Sequence, residues 1–289
     1  MSYPVNEKEM WFDRYMDEPF DVVIDTETTG LGRDSQIVSI GWAFSVKRDY
    51  AYMKDGTVEV YSGSFTVRPD MERIAKQEQD DLITALRING IKLEELENHE
   101  IEYQNVWYNL ENRIKQMMRM AGLHPTSRMK LRFIAYNRGF DYVQLGRLPD
   151  TIELCNSMPR TIFEDTDCDT YQRCGEPASS CLCDSRPGCI MLNHSEWKME
   201  QGWGTRWSKL VDAFNTHFGS ISDKPSDKNA LQFYWINWDN YEGYYRDEPK
   251  KILLDKITSA ELQVNAHDAE IDCLMAEIVN YHLKVWRGY

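Results

Sequence analysis

Acidic side chains sit where this chain's hydrophobic pattern leads into its interior. In Phe20-Asp-Val-Val-Ile-Asp-Thr-Glu-Thr-Thr-Gly-Leu31, a buried-strand pattern ends in two carboxylates, Asp25 and Glu27, two residues apart. Side chains alternate along a strand, so the pair projects from one face, behind an apolar run that belongs in the middle of a sheet. Burying two anions together costs several kcal/mol each unless a cation or matched donors compensate them, and a divalent metal is the simplest compensation.

Two further acids fit the same chemistry. Asp141, in Tyr136-Asn-Arg-Gly-Phe-Asp141, shares a helical stripe with Leu145 and Leu148 and so points inward. An Asp near a helix start also favours the helix dipole, and the two roles can coexist. Asp272 lies on the edge of a stripe made by Ile271, Leu274, Met275 and Ile278, which places a fourth carboxylate inward. His267 stands five residues before Asp272. A lone histidine carries little weight, but one beside an inward acid is a candidate base.

The elements that must position these groups follow from periodicity. Strands are expected at 20–28, 36–44, 57–67 and 130–136, the second and third paired antiparallel across a short turn at Lys54-Asp55-Gly56. An amphipathic helix is expected from Glu72 to about Leu86. A longer one carries Tyr103, Val106, Trp107, Leu110, Ile114, Met117 and Met118 at core spacing and stops near Gly122. Helices are also expected through Trp207, Leu210, Val211, Phe214 and Phe218, with His217 off the stripe and on the surface, and through Asp272 to Val279. The expected fold is α/β, with residues 1–19 as an N-terminal arm and 20–289 as one domain.

Two stretches interrupt that domain. Residues 156–205 hold few aliphatics but crowd Cys168, Cys174, Cys181, Cys183, Cys189 and His194 together. Thiolate and imidazole are good zinc ligands, so any four of these six residues could hold a structural zinc; a loop of free thiols is the other reading. Residues 220–260 carry an aromatic cluster that includes Phe233, Trp235 and Tyr244 beside Arg246, Lys250 and Lys251. Such a cluster suits either a hydrophobic or partner surface or the stacking of single-stranded bases.

The formal charge of −14 over 289 residues argues against a broad basic surface for nucleic acid, so any such contact must be local. No apolar run reaches the ~18–20 residues of a membrane span and no signal-peptide pattern opens the chain, which makes a cytosolic protein the default.

In order and spacing the acids resemble the motifs of the DEDDh superfamily of 3′-to-5′ exonucleases, the group of the epsilon proofreading subunit and the TREX enzymes. Asp25-x-Glu27-Thr-Thr-Gly-Leu31 is similar to the first motif, Tyr136-Asn137-x-x-Phe140-Asp141 to the second, and His267-x4-Asp272 to the third. Phe65-Thr-Val-Arg-Pro69, Asn89-Gly-Ile91 and Trp207-Ser-Lys-Leu210 fall where the family has comparable segments, so the likeness covers roughly 20–150 and 205–285. Tyr136 stands where many members have His, and Cys155-Asn156 where an Asp-Thr pair is common.

The resemblance implies an RNase H-like fold with a mixed five-stranded sheet flanked by helices, interrupted by the Cys-rich insertion. It implies that Asp25, Glu27, Asp141 and Asp272 hold two Mg2+ or Mn2+ ions and that His267 takes a proton from the attacking water. It implies that Thr28 and Thr29 meet the terminal nucleotide, that Leu31 wedges against its base, and that Tyr136 and Asn137 also touch substrate. The substrate implied is a DNA 3′ end, because Asp25-Thr-Glu-Thr-Thr-Gly is closer to proofreading members than to oligoribonucleases; RNA is the alternative. A polymerase or other replication or repair protein is the implied partner. The rival from another class is a catalytically silent module that binds nucleic-acid ends.

Overall fold

The computed structural model describes residues 20–32, 34–48, 57–125, 131–148, 189–203, 208–222, 232–237, 252–254 and 268–287. Its strands are β1 (Phe20–Thr28), β2 (Ile37–Arg48), β3 (Thr57–Arg68), β4 (Ile101–Glu102), β5 (Leu131–Ile134), β6 (Gln232–Asn237) and β7 (Ile252–Leu253). Its α-helices are α1 (Met71–Ile74), α2 (Gln79–Ile88), α3 (Val106–Met120), α4 (Arg138–Leu145), α5 (Ile190–Glu200), α6 (Leu210–Ser222) and α7 (Ala269–Arg287).

The strands form one mixed sheet in the order β5-β1-β2-β3-β6-β7, with β4 also paired to β3. β1 is flanked by β2 antiparallel and β5 parallel, which makes it an interior strand and accounts for its Val22-Val23-Ile24 core. The sheet therefore has seven strands, two more than the five expected. Part of the difference is the stretch read as an aromatic insertion: Phe233 and Ile236 are buried, and β6 lies parallel to β3 from Thr57↔Gln232 to Ser62↔Asn237. Alternating Phe233, Trp235 and Tyr234, Ile236 are the two faces of a strand rather than a separate cluster.

One face of the sheet packs Val22, Ile24, Trp42, Phe44 and Phe133 against Val106, Leu110, Ile114 and Met117 of α3. The other packs Val23, Ala43, Val58 and Val60 against Leu274, Met275 and Ile278 of α7, with Ile190 of α5 and Phe214 of α6 behind. The single helix expected over 72–86 is two helices, α1 and α2, because Glu78 is extended (ψ 121°) and the polar run before it offers nothing to bury. Ile74, Leu82 and Leu86 close with Leu96 around Val38, beside the end of β1.

α7 runs antiparallel to β1. Asp272 lies in its first turn, and twelve residues later Lys284 Nζ meets Asp21 Oδ2 at 2.8 Å. That is about 18 Å of helix, against about 20 Å of strand from Asp21 to Glu27. The ion pair at one end of β1 thus fixes the helix whose other end meets Asp25 and Glu27. No helix among the described residues is long and apolar enough to cross a membrane.

Candidate metal centre

Carboxylate oxygens of Asp25, Glu27 and Asp272 all lie within 4.8 Å of one another. β1 supplies the first two from one face, and the first turn of α7 supplies the third. Asp268, the residue before α7, accepts from the backbone N–H of Glu270 at 2.9 Å and of Ile271 at 3.3 Å, which starts the helix and so aims Asp272. Its own charge also reaches Asp25 and Glu27.

Asp141 joins from α4. It is only 3 % exposed, and its Oδ1 accepts from the backbone N–H of Thr26 at 3.0 Å and from Thr26 Oγ1 at 2.8 Å. Thr26 lies between Asp25 and Glu27 and faces the other way, so β1 carries two acids on one face and the clamp for a third on the opposite face.

The electrostatics follow from burial. Desolvation first, and then the charges of Asp141, Asp272 and Glu27, hold the Asp25 carboxyl well above the usual carboxylate range. Glu27 is pushed up to about 8 by burial and the charges of Asp272 and Asp141. Asp141 rises to about 7 by burial, opposed by its bonds from Thr26. Such a set repels itself unless protons or a cation neutralise it. Its donors are all hard carboxylate oxygens, which suits Mg2+ or Mn2+ rather than a thiophilic metal.

Comparisons with known proteins add no family: no family model matches the chain, and no curated protein matches it.

The other residues singled out from sequence are placed as follows. Thr28 and Thr29 are buried; Thr28 Oγ1 donates to Gly30 O at 2.8 Å, and Thr29 Oγ1 accepts from Gln36 N at 2.9 Å, closing the turn after β1. Gly30 adopts φ 151°, in the region that favours glycine. Leu31 is 86 % exposed at the tip of that turn. Asn137 caps α4 from an exposed position without a side-chain capping bond. Tyr136 is buried, with its hydroxyl donating to Ser208 O at 2.6 Å, which turns it away from a substrate role. His267 lies outside the described residues.

Zinc gains no ligand cluster among the described residues. Cys189 is buried with its thiol on Tyr136 O at 3.6 Å, while His194 Nδ1 faces His217 Nε2 at 3.1 Å. Cys168, Cys174, Cys181 and Cys183 lie outside the described residues. His217, expected on the surface, is 5 % exposed, because α6 is packed between neighbours and the ring stacks on His282 and sits against Trp197.

Two contributors escaped the sequence reading. Asn89 Nδ2 donates to Thr28 O at 3.0 Å, tying α2 to the end of β1. Gly41 of β2 pairs with Asp25, and a Cβ there would lie 2.0 Å from Ala269 O and 2.7 Å from Glu270 N. The first turn of α7 occupies the space a side chain would fill. A glycine inside a strand pattern is the signal that could have pointed to that close approach.

Proposed function

We propose that the chain is a metal-dependent 3′-to-5′ exonuclease with an RNase H-like fold, acting on DNA ends. The observation that carries the proposal is the convergence of Asp25, Glu27 and Asp272, with Asp141 coupled to them, at the end of an interior strand. The mixed sheet flanked by helices supports the fold. The order of the three motifs in the sequence supports the family.

Asp25, Glu27, Asp141 and Asp272 would hold two divalent cations. When bound, such ions supply positive charge to the attacking and leaving oxygens of phosphodiester hydrolysis. The protein's own contribution is preorganisation: β1 fixes two acids, Thr26 fixes the third, and the Asp268 cap fixes the fourth. His267, next to that cap in sequence, takes the proton from the attacking water, work for which a pKa of ~6.5 is well matched near neutral pH. Exposed Leu31 lies against the terminal base, on a turn braced by Thr28 and Thr29.

The test is digestion of 5′-labelled single-stranded DNA and RNA of equal sequence with Mg2+ or Mn2+. Progressive shortening, faster on DNA, is expected. No shortening of either strand sinks the proposal, and equal or faster loss of RNA corrects the substrate.

A further inference from the structure

At the end of the sheet where β1 terminates, an open cleft of about 590 Å3 is lined by Arg68, Arg73 and Arg147 together with Tyr103, Asp70 and Glu102. Three guanidinium groups on one cleft are unexpected in a chain of net charge −14. Their existing partners leave much of their hydrogen-bonding capacity unused.

Arg68 Nη1 is 3.6 Å from Glu102 Oε1 and Nη2 is 3.4 Å from His99 O, while its Nε is buried with no partner among the described residues. Arg73 Nε is 3.7 Å from Asp70 Oδ2, in a pair whose side chains are both about half exposed. Exposed pairs at such distances are weak and easily exchanged for a better anion. Arg147 bonds through Nη1, to Gly32 O at 3.2 Å, Ser35 Oγ at 3.1 Å and Gln144 Oε1 at 3.1 Å. The Tyr103 hydroxyl donates to Arg147 O at 3.3 Å and adds a ring to the wall.

The cleft is joined to the carboxylate site by register. Thr28 pairs with Ile37 of β2, and extending the β2–β3 register beyond Ser39↔Thr66 puts Arg68 opposite that same Ile37. Arg68 is therefore two strands from Thr28, about 10 Å at ~4.8 Å per strand. Gln36 ties the two places together, giving Nε2 to Asp70 O at 3.0 Å and accepting from Asp70 N at 2.8 Å, while its own N–H holds Thr29. Arg147 in turn holds the Gly32–Ser35 turn that follows exposed Leu31.

We propose that the Arg68–Arg73–Arg147 cleft binds a backbone phosphate of the nucleic-acid strand whose 3′ end occupies the carboxylate site, within about three nucleotides of that end at ~3.4 Å per nucleotide. It rests on the proposed function for the identity of the strand. Guanidinium forks match phosphate oxygens in pairs, and a single basic cleft is how an acidic protein makes a local contact with a polyanion. The site is independent of base sequence and discriminates by length: a dinucleotide is too short to reach it.

The test is anisotropy titration of a 5′-labelled oligothymidylate of about ten nucleotides with the full chain in Ca2+, over a range of salt, for wild type and Arg68→Ala/Arg73→Ala. The double variant should bind at least tenfold more weakly at low salt. Its log–log salt slope should fall by about 1.4 for two lost single-strand contacts. Its affinity for a dinucleotide should stay at the wild-type value. If the double variant does not fold, Arg73→Ala alone should lower the slope by about 0.7. Unchanged affinity and slope overturn the proposal. So does an arginine-dependent thermal shift with inorganic phosphate in a protein that binds no oligonucleotide, which would make the cleft a site for the free ion. Cleavage is scored separately: arginine-dependent binding without shortening keeps the cleft and removes the nuclease, whereas shortening with arginine-independent binding does the reverse.

Discussion

Glu27→Gln separates electrostatic cost from function. Glu27 carries a pKa of about 8 in the folded chain, raised first by burial and then by the charges of Asp272 and Asp141, against an ordinary 4.5. Because the folded value is the higher one, its contribution to stability is fully present below about 4.5 and is lost as pH rises through about 8. At about pH 7, the folded carboxyl must keep a proton that the unfolded chain has released across roughly 2.5 pH units, a cost of about 3 kcal/mol at 1.36 kcal/mol per unit. Glutamine has the same shape and no charge, so it should relieve most of that cost in metal-free protein. For a chain of this size about 3 kcal/mol corresponds to a rise of roughly 6–12 °C in Tm. Neighbouring acids share the same repulsion, so a rise near the lower end is expected. The assay is thermal unfolding in EDTA and again in Mn2+. Wild type should gain strongly from Mn2+; Glu27→Gln should start higher in EDTA and gain much less. A variant that melts below wild type in EDTA, or keeps the full Mn2+ gain, refutes the reasoning.

Other expectations follow from the same contacts. Thr26→Val removes the 2.8 Å hydroxyl bond to Asp141 but keeps the backbone one, and should weaken Mn2+ binding by about tenfold or more, read by calorimetric titration. Gly41→Ala sets a methyl against Ala269 O and Glu270 N, so the first turn of α7 must move; a loss of roughly 2–3 kcal/mol in denaturant unfolding and a larger loss of Mn2+ affinity are expected. Burial lowers His194 to about 4, His217 to about 3 and His282 to about 4. These folded values lie below the unfolded one, so the histidines' contribution is present above about 6.5 and lost as pH falls towards 4. In saturating Mn2+, Tm should therefore drop across that window, and His282→Phe should flatten part of the drop.

Much of the site was legible because strand and helix periods are strict. Alternation placed Asp25 and Glu27 on one face without any knowledge of what covers it, and the stripes of α4 and α7 put Asp141 and Asp272 on inward edges. What periodicity does not carry is contact between distant elements. Nothing in one strand announces that the hydroxyl of Thr26 clamps Asp141, 115 residues away, or that the backbone of α7 fills the place of a side chain at Gly41. The strand at 232–237 was read as an aromatic insertion because four successive aromatic and aliphatic residues look alike whether they form a cluster or a doubly buried strand. His217 was misread for a related reason: an amphipathic stripe describes a helix with one buried face, and α6 has neighbours on more than one.

The most direct measurement is the product ladder of a 5′-labelled single-stranded oligonucleotide incubated with Mn2+ and either wild type or Asp272→Asn, which removes one carboxylate while leaving the Asp268 cap in place. Stepwise shortening from the 3′ end by wild type, and none by the variant, is the predicted result. The same ladder from both proteins would contradict the assignment of these carboxylates to the reaction.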